Sequence, residues 1–396
     1  MRKLSAQYIY TGEGKPLKRG IVSVSDEGTI LNLKDTGGAF REEAGLEFYN
    51  GILVPGFINV HCHLELSHLK GISPEKTGLP DFIKSINLKR ESGEEEILQA
   101  AHNADRMMHR AGIVAVGDIS NNASTLEIKK RSHLFYHTFI ELFGFHPERA
   151  GRAYLTGEKI EKQFLENGLA AGITPHSPYS VSDKLFQKIA SHHKKLGGIL
   201  SLHNQESHGE NELFQSKTGG LVEHLEKNIG LDISFWSPTG VSSIKSVLKK
   251  IPSTEPLILV HNLYTTQEDV DFILMNREKE ELYFCLCPNS NLYIENQLPD
   301  FDLFIKNNLK VCLGTDSLAS NRQLSILEEM KTIQQNTPVS LEKLVSWACV
   351  NGAEALNRSE TFGTITPGKK PGINLISKIN FENNTLTPKS DIKKLI

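Results

Sequence analysis

Two histidines that follow a long apolar run are the first residues in this chain whose spacing could do chemistry. The run covers residues 52–60, and His61 and His63 come directly after it. If the run is a β-strand, both imidazoles project from one face, because strand residues two apart point the same way. Neutral imidazole is a common ligand for zinc and similar ions. The pair therefore predicts a metal site, with an exposed surface pair of histidines as the alternative.

Further polar side chains stand at the ends of later apolar runs. They are His176, His203, His261 and Asp316. A lone histidine in such a place is more often a packed core or surface residue, but this many strand-end placements are not independent accidents. Three histidines and one carboxylate suit a single divalent ion, zinc or iron(II), with one position left for water.

The elements that must position these residues alternate in type along the chain. Apolar runs typical of buried strands cover residues 52–60, 111–118, 134–141, 170–176, 198–203, 257–261, 282–287 and 310–316. Helical patterns fill the intervals, and Ser182 and Thr266 are predicted to cap two of the helices, the second with Asp269 three residues on. Eight such units predict an α/β fold, a (β/α)8 TIM-type barrel over residues 53–357, with its active site at the C-terminal strand ends.

Both ends of the chain have a different texture, with short strands separated by turn residues. This texture covers residues 1–52 and returns over residues 358–396. The sequence therefore predicts that the two termini build one small β-sandwich beside the barrel.

Composition argues against several classes of protein. The chain has 44 basic and 47 acidic residues and no basic run, which argues against a nucleic-acid partner. No stretch approaches about 18 consecutive apolar residues, so we expect no membrane span and a cytoplasmic location. The five cysteines are odd in number and mostly embedded in apolar runs, which predicts reduced, buried thiols.

Several motifs spread over the chain resemble those of one known family. They are His61-x-His63, His203-x-x-Glu206, His261, Pro288-Asn-Ser-Asn291 and Gly314-Thr-Asp316-Ser317. Together they resemble the amidohydrolase superfamily, in its branch of cytosine, guanine, adenosine-type and triazine aminohydrolases. A late Gly-Thr-Ile-Thr-Pro-Gly-Lys turn, from Gly363, also matches, although Gly372-Ile373 stands where Ala-Asp is expected. The resemblance covers nearly the whole chain.

The resemblance implies a role for each matching residue. It implies one divalent metal, zinc foremost and iron(II) second, held by His61, His63, His203 and Asp316. Asp316 would also take a proton from the water that the metal activates. Glu206 would relay this proton to the ring nitrogen and the leaving amine, and His261 would stabilise the developing charge.

Substrate contacts are predicted on loops that follow the strands. The segment around His176 resembles one in purine-nucleoside deaminases, which implies that His176 touches the nucleoside; a buried structural histidine is the alternative. Glu65 and His68, after the first strand, are predicted to face the pocket. Cations predicted to meet a carboxylate on the substrate are Arg149, Arg152, Lys89 and Arg90.

These observations predict a hydrolytic deaminase that releases ammonia from a 6-aminopurine nucleoside derivative. Two segments, HLELS and HSPYSVS, resemble aminodeoxyfutalosine deaminases most, and S-adenosylhomocysteine and methylthioadenosine deaminases next. Alternatives are a guanine- or cytosine-type aminohydrolase, a chlorohydrolase or a cyclic amidase. A non-catalytic scaffold would show lost metal ligands, and none is lost. A small-molecule substrate is the expected partner, and a homodimer stays open.

Overall fold

The structure is a computed structural model that describes residues 1–39, 43–89 and 92–396, with only the backbone described for Lys89. The described strands lie in three sheets. In chain order they are β1 Arg2–Ile9, β2 Leu17–Lys18, β3 Ile21–Val24, β4 Ile30–Lys34, β5 Leu46–Pro55, β6 Phe57–Cys62, β7 Ile113–Ser120, β8 Phe135–Leu142, β9 Ala170–Pro175, β10 Leu200–Asn204, β11 Leu257–His261, β12 Leu282–Leu286, β13 Val311–Leu313, β14 Ile373–Ser377 and β15 Asp391–Lys394.

Helices fill the intervals between these strands, together with short 3-10 and π turns. The α-helices are α1 Leu79–Lys89, α2 Glu94–Arg110, α3 Leu126–Arg131, α4 Ala150–Glu166, α5 Asp183–Leu196, α6 His208–Ser216, α7 Gly220–Glu223, α8 Ser243–Val247, α9 Gln267–Asn276, α10 Pro288–Ile294, α11 Phe301–Lys306, α12 Ile326–Asn336, α13 Leu341–Val345 and α14 Asn351–Ala355.

The strands near both termini form one mixed sheet in the order β15-β14-β5-β1-β3-β4, with β2 paired to β1. β14 pairs with β5, so the C-terminal segment completes a sheet that the N-terminal segment begins. Its apolar side chains, among them Leu4, Val22 and Ile373, form a core cluster of their own. β5 continues to Pro55, slightly past the predicted boundary at residue 52, and the division into two domains stays a prediction.

Eight strands form two parallel sheets, in the orders β6-β7-β8-β9 and β10-β11-β12-β13. Their long apolar runs are buried along almost their whole length, as expected for strands covered on both faces. At one seam, Cys62 and Asp316 form an isolated parallel bridge. At the other, the backbone N–H of His203 donates to the carbonyl of His176 at 2.9 Å. The α/β class is therefore confirmed, while the described strands do not form a single closed sheet.

The structure forms one of the two predicted helix caps. At the other, the predicted residue precedes the helix but makes no cap bond. Thr266 begins α9 with a complete capping box, in which its hydroxyl accepts from the N–H of Asp269 and the Asp269 carboxylate accepts from Thr266 in return. Ser182 is the residue before α5, but its hydroxyl makes no capping hydrogen bond. Both residues thus precede a helix, but only Thr266 caps its helix with a side-chain hydrogen bond.

These two caps provide a matched test of local stability. We expect Thr266→Ala to lower the free energy of unfolding by about 1 kcal/mol, because the first turn of α9 loses its hydroxyl acceptor. Ser182→Ala is expected to change it by less than about 0.5 kcal/mol, since no cap bond is lost. Urea unfolding followed by circular dichroism measures both variants. Equal losses would contradict this account of the caps.

Two further expectations concern the state of the cysteines and the absence of a membrane-spanning helix. All five cysteines are buried and free of disulfide bonds, which agrees with the predicted reduced state. Among the described residues, no helix combines the length and the apolar character that crossing a membrane would require.

Candidate metal centre

Four predicted ligands converge at the C-terminal ends of the parallel strands. His61 and His63 leave β6 with their Nε2 atoms 3.2 Å apart, and the Nε2 of His203, on β10, lies 3.4 Å from that of His63. The Oδ1 atom of Asp316 lies 3.4 Å from His63 Nε2 and 3.7 Å from His61 Nε2. The structure therefore brings together the four side chains that the sequence singled out.

These distances fit the donor set of a divalent cation. Metal–ligand bonds of about 2.0–2.1 Å in a tetrahedron place neighbouring ligand atoms about 3.3 Å apart. The His203 Nδ1–H donates to the carbonyl of His176 at 3.0 Å, which leaves the Nε2 lone pair directed at the cluster. Without a cation, several lone pairs would face one another in a buried space. The residues thus form a candidate His/Asp metal centre.

The electrostatics of this centre favour the ligand forms of its side chains. Burial lowers the pKa of His203 well below its usual value, and the neighbouring histidines lower it further, so the imidazole is neutral. Burial alone would raise the pKa of Asp316. The hydrogen bond with His61 and the charges of His63 and His261 outweigh burial and hold that pKa well below its usual range. Asp316 is therefore a carboxylate at neutral pH.

Hydrogen bonds fix the orientation of the Asp316 carboxylate. The hydroxyls of Ser290 and Ser320 donate to Oδ2 at 2.7 and 2.6 Å, so that Oδ1 faces the histidines. Asp316 itself adopts a left-handed backbone with φ of 57°, as do His261 and Asn262 with φ of 70° and 55°. Such conformations are uncommon outside glycine, although Asp, His and Asn adopt them more readily than most residues, and they concentrate at functional sites.

Glu206 and His261 form a second polar pair beside the four ligands. The Glu206 Oε2 lies 3.5 Å from His261 Nε2, and its Oε1 accepts a short hydrogen bond from the hydroxyl of Tyr179. Burial raises the pKa of Glu206 well above its usual value, against the opposing effect of the Tyr179 hydrogen bond. Burial likewise lowers the pKa of His261 to about 4. Burial thus favours the protonated carboxyl of Glu206 and the neutral imidazole of His261.

A cavity of roughly 150 Å³ opens over this cluster. Its apolar lining side chains come mainly from α1 and its neighbours: Leu66, Leu79, Phe82, Ile83, Ile86 and Ile294. Its polar lining side chains include Asn121, Glu141, His176 and Tyr179. A ligand that fits this lining combines an apolar part with a hydrogen-bonding part.

His176 lies in this cavity, as the sequence predicted. Its ring centroid is 4.7 Å from that of His203 and 4.2 Å from that of Phe143. Its Nδ1 is within hydrogen-bond distance of the hydroxyls of Ser180, at 2.7 Å, and Ser177, at 2.9 Å. These contacts orient the ring at the lining of the cavity.

Other predicted contacts line neighbouring cavities instead. Glu65 and His68 border a separate cavity of about 290 Å³, and Glu65 Oε2 accepts from the N–H of Asn121 at 3.1 Å. Arg149 and Arg152 border another of about 540 Å³, which shares Asn121, Glu141 and Phe143 with the metal-centre cavity. The side chain of Lys89 and the whole of Arg90 lie outside the described residues.

Sequence reasoning missed three residues of the site. Glu141 ends an apolar run just as His176 does, so the strand-end rule could have selected it. Ser290 lies inside the Pro-Asn-Ser-Asn motif, and Tyr179 follows His176 by three residues. Glu141, His176 and His203 form a further group with metal-ligand spacing, but it suits a cation less well, because the His203 Nδ1–H already donates to a carbonyl.

Known proteins resemble this chain in sequence and in fold. A 5-methylthioadenosine/S-adenosylhomocysteine deaminase of Clostridium tetani is 24% identical over 390 residues, covering 93% of this chain and 84% of that protein. An aminodeoxyfutalosine deaminase of Deinococcus radiodurans is 25% identical over 373 residues, with coverage of 89% and 85%.

A solved structure and a family model extend the comparison to the whole chain. The crystal structure of Helicobacter pylori aminofutalosine deaminase in complex with methylthio-coformycin superposes with a TM-score of 0.81 at 21% identity, covering 100% of both chains. This likeness shows a shared fold. The model of the amidohydrolase family matches residues 52–396, which include the entire candidate metal centre. The protein belongs to the amidohydrolase family.

Proposed function

We propose that this protein is a metal-dependent hydrolytic deaminase of an adenosine-like nucleoside, from which it releases ammonia. The observation that carries the proposal is the convergence of three imidazole nitrogens and one carboxylate beside the buried carboxyl of Glu206. A deaminase needs an activated water, a base and an acid at one place. These side chains meet all three needs.

We infer that one divalent ion, zinc foremost and iron(II) as the alternative, is held by His61, His63, His203 and Asp316. Nitrogen and oxygen donors in this number and spacing suit zinc, and imidazole also suits iron(II). When bound, such an ion lowers the pKa of a water from about 15.7 to near 7 and so supplies a nucleophile at neutral pH.

Proton transfer is assigned to two carboxyl groups whose pKa values are shifted in opposite directions. Asp316, whose pKa is low, is the base that accepts the proton of the attacking water. Burial favours the protonated form of Glu206, which donates its proton to the purine ring nitrogen as the water attacks. Glu206 then passes the proton that Asp316 took from the water to the leaving amine, and the hydroxyl proton left on carbon 6 reprotonates Glu206 as the carbon–nitrogen bond breaks. Opposite shifts in neighbouring groups are the usual sign of an acid and a base. His261, 3.5 Å from Glu206, stabilises the charge that develops at the attacked carbon.

The substrate is assigned from chemistry, from the cavity and from the relatives. Carbon 6 of adenine is electron-poor and bears the amine that must leave. The apolar lining that includes Phe82 and Ile83 suits a bulky 5′-group, and we assign the ribose contact to His176, which lines the same cavity. Arg149 and Arg152 in the adjoining cavity support a carboxylate at the far end of that group. The names of the relatives point to the same substrate class, and Glu65 and His68 stay candidates for further contacts.

We also propose that the two parallel sheets are halves of one (β/α)8 barrel over residues 53–357. The seams described above support this, because strand ends meet at both edges of each sheet. The sheet shared by residues 1–52 and 358–396 then forms the companion β-sandwich. This arrangement would place the metal centre at the end of the barrel where the sites of such folds lie.

A substrate panel tests the proposed function directly. Purified, zinc-loaded protein is offered adenosine, 5′-deoxyadenosine, methylthioadenosine, S-adenosylhomocysteine, aminodeoxyfutalosine, guanine and cytosine. We expect an adenosine derivative with a bulky 5′-group to be converted fastest, with ammonia release and the absorbance shift from adenine to hypoxanthine. Efficient turnover of guanine or cytosine, with every adenosine derivative inert, would contradict the assignment.

A further inference from the structure

A fully buried ion pair contacts the backbone next to His63, one of the proposed metal ligands. The Lys129 Nζ is 2.6 Å from the Asp118 Oδ2, and neither side chain has any exposed surface. Lys129 comes from α3, outside the sheet, whereas Asp118 belongs to β7. The ammonium also donates to the hydroxyls of Ser120 and Thr138 at 3.1 and 3.0 Å. All three of its protons are therefore used.

The second oxygen of this carboxylate holds the backbone next to a metal ligand. Asp118 Oδ1 accepts a hydrogen bond of 2.7 Å from the N–H of Leu64, the residue that follows His63. The pairing of β6 with β7 shifts its register between Asn59 and Cys62. Beyond that irregularity, a side chain rather than a strand partner takes the N–H of Leu64.

We propose that Asp118 and Lys129 are positioning residues for the metal centre. Lys129 fixes one oxygen of the carboxylate, the other oxygen fixes the backbone at Leu64, and this backbone aims the His63 imidazole at the other ligands. The inference rests on the proposed function only in assigning a metal to the four ligands. Neither residue lines the metal-centre cavity.

Stability alone is a poor explanation for this pair. Taking two charges out of water costs about as much as their attraction returns, and buried ion pairs are often replaced by apolar residues without loss. A carboxylate that must present one oxygen to a particular backbone N–H needs a partner that fixes its other oxygen. Groups around a metal ligand act in the same way, and their loss typically lowers metal affinity.

Two double variants separate the hydrogen bond to Leu64 from the charge of the pair. Both replace Lys129 by methionine; one carries Asp118→Asn, which keeps an oxygen acceptor, and the other carries Asp118→Leu, which has a similar shape and no acceptor. Zinc affinity of the metal-free proteins is measured by competition with a chromophoric chelator. We expect the leucine variant to lose about 10- to 100-fold in zinc affinity and the asparagine variant to lose less, because its amide oxygen still accepts from the N–H of Leu64 although Lys129 no longer fixes the side chain.

Arg277→Met is the control for general destabilisation. Arg277 lies before β12, and its buried guanidinium donates to the carbonyls of Glu255 and Pro252, which precede β11. This contact is at the N-terminal ends of the strands, opposite the ends that carry the metal ligands. We expect this variant to lower the unfolding midpoint and to leave zinc affinity unchanged. Equal zinc affinities in the two double variants, or an equal loss in Arg277→Met, would overturn the positioning role.

Hydrogen exchange of the wild-type chain is a second test of the positioning role and needs no variant. If Asp118 holds the backbone, the Leu64 amide stays protected in metal-free protein, whereas rapid exchange there would overturn the proposal. Neither measurement depends on turnover, so a wrong substrate leaves both results intact. Failure of the wild-type chain to bind zinc would instead count against the proposed function.

Discussion

Replacing His203 by alanine is expected to strip the metal and to lower deamination by at least about four orders of magnitude, because the attacking water then keeps a pKa near 15.7 rather than about 7. The His203 Nε2 lies 3.4 Å from that of His63, so the substitution removes one of the four proposed ligand atoms. Metal content by mass spectrometry and ammonia release measure the two effects on the same sample.

His193→Ala is the matched control for this change. His193 is a buried histidine on α5. Its Nε2–H donates a hydrogen bond to the carbonyl of Ile173 at 2.7 Å, away from the ligand cluster. We expect this variant to lose stability but to keep its metal and its activity. Full metal content in the His203 variant would show that the four side chains do not act together as ligands.

Glu206→Gln is expected to keep the metal and to lower kcat by about 10²- to 10⁴-fold, the usual contribution of a general acid or base. The amide keeps the shape of the side chain, and its oxygen can still accept from Tyr179. It cannot shuttle a proton between the water and the leaving amine. The change therefore separates proton transfer from metal binding.

Glu212→Gln provides the comparison on the same segment of chain. Glu212 lies on α6 and is partly exposed beside His208, so its loss should not affect turnover. Ammonia release and metal content are followed for both variants with the best substrate of the panel. Near-normal activity in Glu206→Gln would remove Glu206 from the mechanism, whatever the metal content.

Some of the site could be predicted from local sequence, because local rules govern it. Residues two apart on a strand share a face, so His61 and His63 had to point the same way. Buried parallel strands read as apolar runs, which identified the eight strands and placed His203 and Asp316 at their ends. Thr266 and Asp269 signalled a capping box through spacing alone. Each of these inferences depends on a few neighbouring residues.

Tertiary structure alone decided the remaining features, because they join parts of the chain that no local rule connects. Only packing shows that Phe82 and Ile83, on α1, line the cavity over the metal centre. Likewise, only the folded structure shows that Arg149 borders the cavity next to the metal-centre cavity, together with Phe143. The contact of Asp118 with Leu64 spans 54 residues and arises only when two strands lie side by side. Periodicity reports which side of an element is apolar, whereas what that side meets depends on how distant elements pack.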